Sequence, residues 1–144
     1  ELKERLKGFK RVMRKAGLKV GAVQVQFGEF KLSSGYNQVK RLIAGESLPT
    51  ALFCANDEIA MGAMKALREQ GLRIPEDISI IGFDNLDIAD YCSTPLTTIH
   101  QPRWEMGRAA MELMLDLLQG RKPESRRVVL PHQLIVRDST KQLV

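Results

Sequence analysis

The sequence predicts an α/β fold, an open parallel sheet flanked by helices, and three observations lead to this class. Two short apolar segments, 51–55 and 78–83, each end in polar residues, and a helical pattern lies between them. The strands predicted near residues 20, 50 and 78 are spaced by about 30 residues, the length of one strand–helix unit. Small ligands bind at the carboxyl edge of such sheets, so these segments also indicate a binding function.

Length and composition fit one globular domain. The chain has 144 residues, of which 44% are hydrophobic, enough to form a core. No apolar run approaches the roughly 18 residues that a membrane helix needs. Because the chain begins at Glu1, inside a helical pattern, we expect it to be part of a longer protein.

The whole chain has a net charge of +5, and many of its basic residues lie at the start of the sequence. A basic helix can contact phosphates. However, the sequence has no helix-turn-helix pattern, zinc-finger spacing or aromatic RNA-binding motif. A solvated helix face is therefore favoured over direct contact with nucleic acid.

The first half of the chain alternates helix and strand. Apolar residues over 2–16 follow helical spacing, and Gly17 ends that helix. The segment 20–26 is rich in β-branched residues and predicts a strand. Ser33 is expected to cap a second helix, which ends at Gly45.

The helix between the two apolar segments stops at Gly71, and a different pattern follows residue 83. A short helical turn is predicted over 86–91 and a brief β segment over 96–100. Pro102 fits the first turn of a further helix, because no donor is needed there. This helix carries an amphipathic stripe made of Gly107, Ala110, Met111, Met114, Leu115 and Leu118.

The chain ends with a predicted strand. Gly120 closes the amphipathic helix, and 127–136 reads as the last strand. Pro131 within it indicates an edge position or a bulge.

The two cysteines, Cys54 and Cys92, are not a CxxC pair, and Cys54 is expected to be buried. We expect free thiols in a reducing cytoplasm, with a disulfide as the alternative.

Several motifs resemble one family of proteins. ANDEIAMGAMKAL, GLRIPEDISIIGFDN and PLTTIHQPRWEMG occur in order and with the spacing of the ligand-binding core of the lactose-repressor (LacI/GalR) family of bacterial transcription regulators. The resemblance extends back to ERLKGF and forward to VRDST, so it covers essentially the whole chain. IIGFDN, the YC pair, QPR and the terminal ST most resemble family members that respond to cytidine and to purines.

The resemblance implies a periplasmic-binding-protein-like (type I) fold, present here as mostly the C-terminal subdomain. The family's effector domain has two similar subdomains joined by three crossovers. Residues 1–100 and 127–144 would form most of the second subdomain, and the helix within 101–120 would cross to the first. The DNA-binding headpiece of the family would lie outside these residues.

Two polar side chains follow the central strands and are candidate ligand contacts. A carboxylate at Asp84 can accept hydrogen bonds from hydroxyls or amines, as a ribose or a base edge requires; its alternative role is to form the turn at Asn85. Asn56 lies at the same edge, and its alternative role is to cap the next helix, for which Asp57 competes. The resemblance favours ligand contact for Asp84 and Asn56, and a cap or hinge contact for Asp57.

Three further ligand contacts come from the resemblance. Arg5 lies in RLKGF, where the family has a ligand-contacting arginine. Phe30 stands where the family often has an aromatic residue on the ligand, and its alternative is a loop aromatic folded over the core. Gln101 ends a crossover strand, and its alternative is a simple hinge residue beside Pro102.

The resemblance also implies a two-fold homodimer. The family's subunit interface uses the helix that begins near Asp57 and the segment near Tyr91. We therefore predict Met61, Tyr91 and Cys92 as interface residues. Alternatively, Met61 and Met64 share a helix face as ordinary core residues.

Nothing in the sequence indicates catalysis. His100 and His132 lack a paired nucleophile motif, and the acidic residues after position 83 match no calcium-loop spacing. We expect a cytoplasmic, ligand-responsive repressor that needs no cofactor or metal and does not associate with membranes. Its expected effector is a nucleoside such as cytidine, or else a purine or a sugar, and operator DNA would bind through the headpiece. The alternative is a periplasmic sugar- or nucleoside-binding protein of the same fold.

Overall fold

The computed structural model describes residues 2–18, 25–45, 48–122 and 125–142. These residues form α1 (Leu2–Lys15), α2 (Leu32–Ile43), β1 (Ala51–Phe53), α3 (Asp57–Glu69), β2 (Ser79–Ile81), β3 (Thr98–His100), α4 (Arg103–Leu118) and β4 (Gln133–Ile135). A short 3-10 helix, Asp87–Ala89, lies between β2 and β3. In the described ranges no helix is long and apolar enough to cross a membrane.

The strands form the open sheet that the sequence predicts. β1 pairs in parallel with β2, and β3 pairs antiparallel with β4. The parallel bridges Ile81–Thr97 and Asp84–His100 join the end of β2 to β3. The carboxyl ends of β1, β2 and β3 therefore lie along one edge, and the predicted fold class is confirmed.

The core lies between α3 and the sheet. α3 buries Ala60, Ala63, Met64 and Leu67, which share one helix face at i, i+3, i+4 and i+7. This face packs in a cluster with residues of the strands and loops, including Ile78, Ile80 and Leu96. Burial of one such large aliphatic side chain contributes about 1.5–3 kcal/mol. The Asp57–Glu69 helix therefore supplies much of the apolar core beside the sheet.

Two glycines let α2 and α3 cross with their backbones in contact. A Cβ atom on Gly35 would collide with the carbonyl oxygen of Ile59, and one on Gly62 would collide with the carbonyl oxygen of Leu32. The contact is reciprocal, because each helix supplies one glycine. Side chains at these two positions would force the helices apart.

The helix ends agree with the sequence in part. Gly17, Gly71 and Gly120 follow their helices at φ +72°, +73° and +72°, the left-handed conformation that ends helices at glycine. The predicted cap at Ser33 is wrong, since α2 begins at Leu32 and its cap position is Lys31, two residues earlier, which makes no side-chain cap bond. Pro102 occupies the cap position of α4, one residue before the predicted first turn.

The strands are shorter than predicted. β1 and β2 have three residues each instead of the predicted 51–55 and 78–83. The last strand is only Gln133–Ile135, so Pro131 lies before the paired segment, where its missing donor costs nothing. The strand predicted over 20–26 falls mostly on residues outside the described ranges.

The amphipathic stripe of α4 is not buried within this chain. None of the residues of Arg103–Leu118 is buried, and Trp104 and Leu118 are each 75% exposed.

Cys54 is buried as expected, and this burial raises the pKa of its thiol to about 12. Both cysteines are free, which confirms the predicted thiols.

Candidate functional site

The structure brings Asp84 and Gln101 together at the carboxyl edge of the sheet. The backbone N–H of Asp84 donates to the carbonyl of Ile99 at 2.9 Å, which holds residue 84 beside β3. The side-chain amide of Gln101, the residue after β3, donates a hydrogen bond to the Asp84 carboxylate. Asp84 and Gln101 are both half-buried, so a polar ligand could reach them from solvent.

Arg5 reaches the same edge from α1. Its guanidinium donates to the carbonyl of Ala55 at 2.7 Å and lies 3.6 Å from the centroid of the Phe83 ring. Ala55 and Phe83 immediately precede Asn56 and Asp84 in the chain. A cation over an aromatic ring contributes about 0.5–1 kcal/mol at exposed sites. The residue pattern of α1 does not distinguish Arg5 from its basic neighbours, whereas its contacts do.

Asn56 takes its alternative role in the described structure. It is the N-cap of α3, and its side-chain oxygen accepts a hydrogen bond from the backbone N–H of Ile59 at 2.8 Å. The residue is buried, beside the carbonyl that Arg5 contacts. A ligand contact through Asn56 stays a prediction.

Asp57 is a fully buried carboxylate and not the helix cap. One oxygen accepts a hydrogen bond from the Thr98 hydroxyl at 2.6 Å, and the other accepts from the backbone N–H of Leu86 at 2.8 Å. Burial raises the pKa of Asp57, although these hydrogen bonds act in the opposite direction. The predicted cap role of Asp57 is therefore wrong, because Asn56 is the cap and Asp57 instead contacts the turn that follows β2. A hinge contact of Asp57 stays a prediction.

This turn has an uncommon backbone conformation. Asp84 has φ +117° and Asn85 has φ +52°, in the region that favours glycine. Such conformations cost about 1–3 kcal/mol each, and they cluster at functional sites. The sequence signal was the Asp-Asn pair, since both types tolerate positive φ, but the sequence did not predict the strain.

Arg137 holds the other side of the turn, and sequence reasoning assigned it no role. Its guanidinium donates to the Asn85 side-chain oxygen at 3.0 Å, to the Leu96 carbonyl at 2.9 Å and to the Asp90 carboxylate at 2.9 Å. The Arg137 side chain is only 17% exposed. These partners lie between 41 and 52 residues earlier in the chain, so local sequence patterns carry no signal for the contacts.

Phe30 lies outside this network of contacts. It is partly exposed in the irregular segment before α2, and none of the described hydrogen bonds or ring contacts joins it to Arg5 or Asp84. The predicted stacking on a ligand stays untested.

His100 contacts Asn85 through ring Nδ1, with 3.2 Å between this atom and the amide nitrogen, and His132 is exposed.

The predicted interface residues differ in exposure. Tyr91 is 82% exposed, whereas Cys92 is partly buried and its thiol lies 3.3 Å from the Ile88 carbonyl. Met61 is half-buried, and Met64 belongs to the core.

In the described part of the chain, no group of three or more His, Cys, Asp or Glu residues is arranged to hold a metal ion.

Sequence comparison identifies related proteins over nearly the whole chain. A family model described as a periplasmic binding protein-like domain matches residues 2–140. The HTH-type transcriptional repressor CytR of Escherichia coli (strain K12) is 42% identical over 139 residues, which cover 96% of this chain and 41% of that protein. The chain thus spans about two-fifths of the length of the curated relatives it matches.

Structural comparison gives the same result. A LacI family transcriptional regulator from Enterococcus faecium, solved with bound ribose, superposes with a TM-score of 0.90 at 34% identity; the match covers 99% of this chain and 53% of that one. The lac repressor dimer bound to operator and the anti-inducer ONPF gives a TM-score of 0.87 at 32% identity, over 94% of this chain and 46% of that one.

Proposed function

Because this chain belongs to the LacI family of transcriptional regulators, we propose that it is the effector-binding and dimerisation part of a ligand-responsive bacterial repressor. The observation that carries the proposal is the convergence of Arg5, Asp84 and Gln101 at the carboxyl edge of the sheet. This edge is where open α/β sheets bind small molecules. The periplasmic-binding alternative is less favoured, since the relatives are named as repressors.

The proposed effector is a nucleoside such as cytidine. The Asp84 carboxylate is an acceptor for hydroxyl groups, and Gln101 offers both a donor and an acceptor beside it. Hydroxyls are common to nucleosides and free sugars, so a sugar is the first alternative effector and a purine the second. Phe30, if it stacks on the base as proposed, would favour a nucleoside over a sugar by about 1–3 kcal/mol.

We also propose how this chain fits into the whole protein. Residues 1–100 and 127–144 would form most of one subdomain, and the helix within 101–120 would cross to the other. The exposed apolar stripe of α4 supports this, because a stripe left uncovered by this chain needs another surface. A headpiece outside these residues would bind operator DNA in the cytoplasm.

The proposed mechanism is a shift between two conformations. A ligand that contacts both subdomains favours the closed arrangement only to the extent that it binds that arrangement more tightly. Such closure would change how the two halves of the dimer present their DNA-binding parts, and the coupling is reciprocal. DNA binding would therefore change effector affinity by the same factor.

Asp84→Gly tests the site directly. Glycine removes the carboxylate and also relieves the positive φ, so the intact protein should stay folded with an unchanged or higher melting temperature. Stabilisation by cytidine should disappear, whereas the unmodified protein should gain about 2.7 kcal/mol at 100 times the dissociation constant. Thermal-shift titrations with cytidine, hypoxanthine and ribose measure both effects.

Asp87→Ala is the matched control, because this carboxylate is exposed three residues further along. It should keep the full response. A cytidine shift that survives in Asp84→Gly would reject the site, and a shift with ribose alone would keep the site and replace the effector. No shift with any of the three compounds would reject the proposed effector classes.

The dimer is tested at Tyr91. If this exposed side chain lies in a two-fold interface, Tyr91→Glu should weaken dimerisation of the intact protein by about tenfold or more, because buried tyrosines are common interface hot spots. Sedimentation velocity across a concentration series measures this change. Arg11→Glu, at an exposed charged residue of α1, should leave the dimer unchanged. A protein that is monomeric at micromolar concentration would contradict the proposal.

A further inference from the structure

We propose that Asp57 is a positioning residue of the effector site, which acts by holding the turn 83–86 in the conformation that presents Asp84. The proposal rests on the proposed function for the role of Asp84 as a ligand contact. The hold on the turn itself is visible in the contacts of the chain and does not depend on the identity of the effector.

Asp57 binds both ends of the turn. Its backbone N–H donates to the Phe83 carbonyl at 2.9 Å, and its carboxylate accepts from the N–H of Leu86 at 2.8 Å. The two residues between these bonds are Asp84 and Asn85. One residue at the start of α3 therefore fixes the turn on either side of the proposed ligand contact.

The turn needs these two hydrogen bonds from Asp57 because the backbone at its centre is strained. Asp84 and Asn85 both have positive φ, and non-glycine residues keep this conformation only where the surroundings over-determine it. The Asp57 bonds supply part of that constraint. Without them, the backbone of Asp84 is free to relax toward a common conformation, and its carboxylate would move away from Gln101.

The residues around Asp57 stabilise its buried carboxylate and leave space for it. Its second oxygen accepts from the Thr98 hydroxyl at 2.6 Å, so both oxygens are satisfied. A Cβ on Gly82 would collide with that oxygen and with Leu96, so the absence of a side chain at residue 82 provides the space. The N-terminus of a helix of 13 residues also favours a negative charge.

The first test measures the turn without ligand. In the intact protein, Asp57→Asn should speed amide hydrogen exchange of Leu86 by about tenfold or more, because a neutral amide is a weaker acceptor than a carboxylate. The amide of Leu67, in the core of α3, should keep its protection. Thr98→Val removes the hydroxyl that orients the carboxylate and that also accepts from the Asn85 N–H at 3.4 Å. Because the Asp57 carboxylate itself remains, this variant should give a smaller change of the same sign at Leu86.

The second test measures affinity for cytidine by calorimetry, at a temperature where each variant is fully folded. Asp57→Asn should weaken binding by about tenfold through misplacement of Asp84. Ser139→Ala is the control, because its buried hydroxyl bonds to Thr97 and Ile80, away from the turn. It should lower the melting temperature and leave both cytidine affinity and Leu86 exchange unchanged.

The outcomes separate this proposal from the proposed function. Unchanged Leu86 exchange in Asp57→Asn would overturn the positioning role whatever the effector is. If Asp84→Gly abolishes cytidine binding and Asp57→Asn leaves it intact, the ligand site stands and the positioning role is rejected. If Asp84→Gly has no effect on binding and Leu86 exchange still rises in Asp57→Asn, the hold on the turn stands and its role in effector binding is rejected.

Discussion

Gly62→Ala is expected to lower the free energy of unfolding by about 3 kcal/mol, because the added methyl group meets backbone and not a movable side chain. The nearest atom is the carbonyl oxygen of Leu32, at the start of α2, and the nitrogen of Tyr36 is also close. The two helices must separate to make room, which loosens the core below them. Urea unfolding of the intact protein, followed by circular dichroism, measures the change.

Gly8→Ala is the matched control for this prediction. Gly8 lies inside α1, and a Cβ there would meet no atom within 4 Å. Alanine should therefore stabilise the protein by up to about 1 kcal/mol through helix propensity alone. Equal effects of the two substitutions would contradict the close crossing of α2 and α3.

Arg137→Met is expected to destabilise the protein by about 3 kcal/mol. Methionine fills much of the volume but donates no hydrogen bond, so the Leu96 carbonyl and the Asn85 side-chain oxygen each lose a charged donor. The bond to Asp90 adds less, because that carboxylate is 64% exposed and is screened by solvent. Chemical unfolding of the intact protein gives the stability change.

Arg108→Met separates the loss of a network from the loss of an arginine. Among the described residues, Arg108 pairs with Glu112 at 3.0 Å, and both side chains are more than half exposed. Its replacement should change stability by less than about 0.5 kcal/mol. An Arg137→Met variant as stable as Arg108→Met would show that the three bonds of Arg137 contribute nothing net.

The helices and their ends were largely predictable because their signals are local. For α3, the alternative that Met61 and Met64 share a core face is right for Met64, which is buried, whereas Met61 is half-buried. Gly71 ends this helix in the expected left-handed conformation. The predicted cap at Ser33 is wrong because Ser33 lies inside α2, whose cap position, Lys31, makes no side-chain cap bond.

The candidate site was predictable as a location and less so as an arrangement. Polar residues after apolar segments predicted that Asn56 and Asp84 would lie along one sheet edge. The residue pattern alone gave no reason to select Arg5. The reason came from the family resemblance. The residue pattern also did not distinguish the capping role of Asn56 from the buried contacts of Asp57, because that choice depends on where Leu86 and Thr98 lie in space.

The sequence by itself determined the fold class, the family and the order of the described helices and strands, because periodicity, glycine stops and contiguous motifs are properties of neighbouring residues. Only the tertiary structure decided how the turn after β2 is held. Asp57 reaches it from 29 residues before Leu86, and Arg137 reaches it from 52 residues after Asn85. Contacts over such separations form when the sheet and helices pack, so no local pattern encodes them.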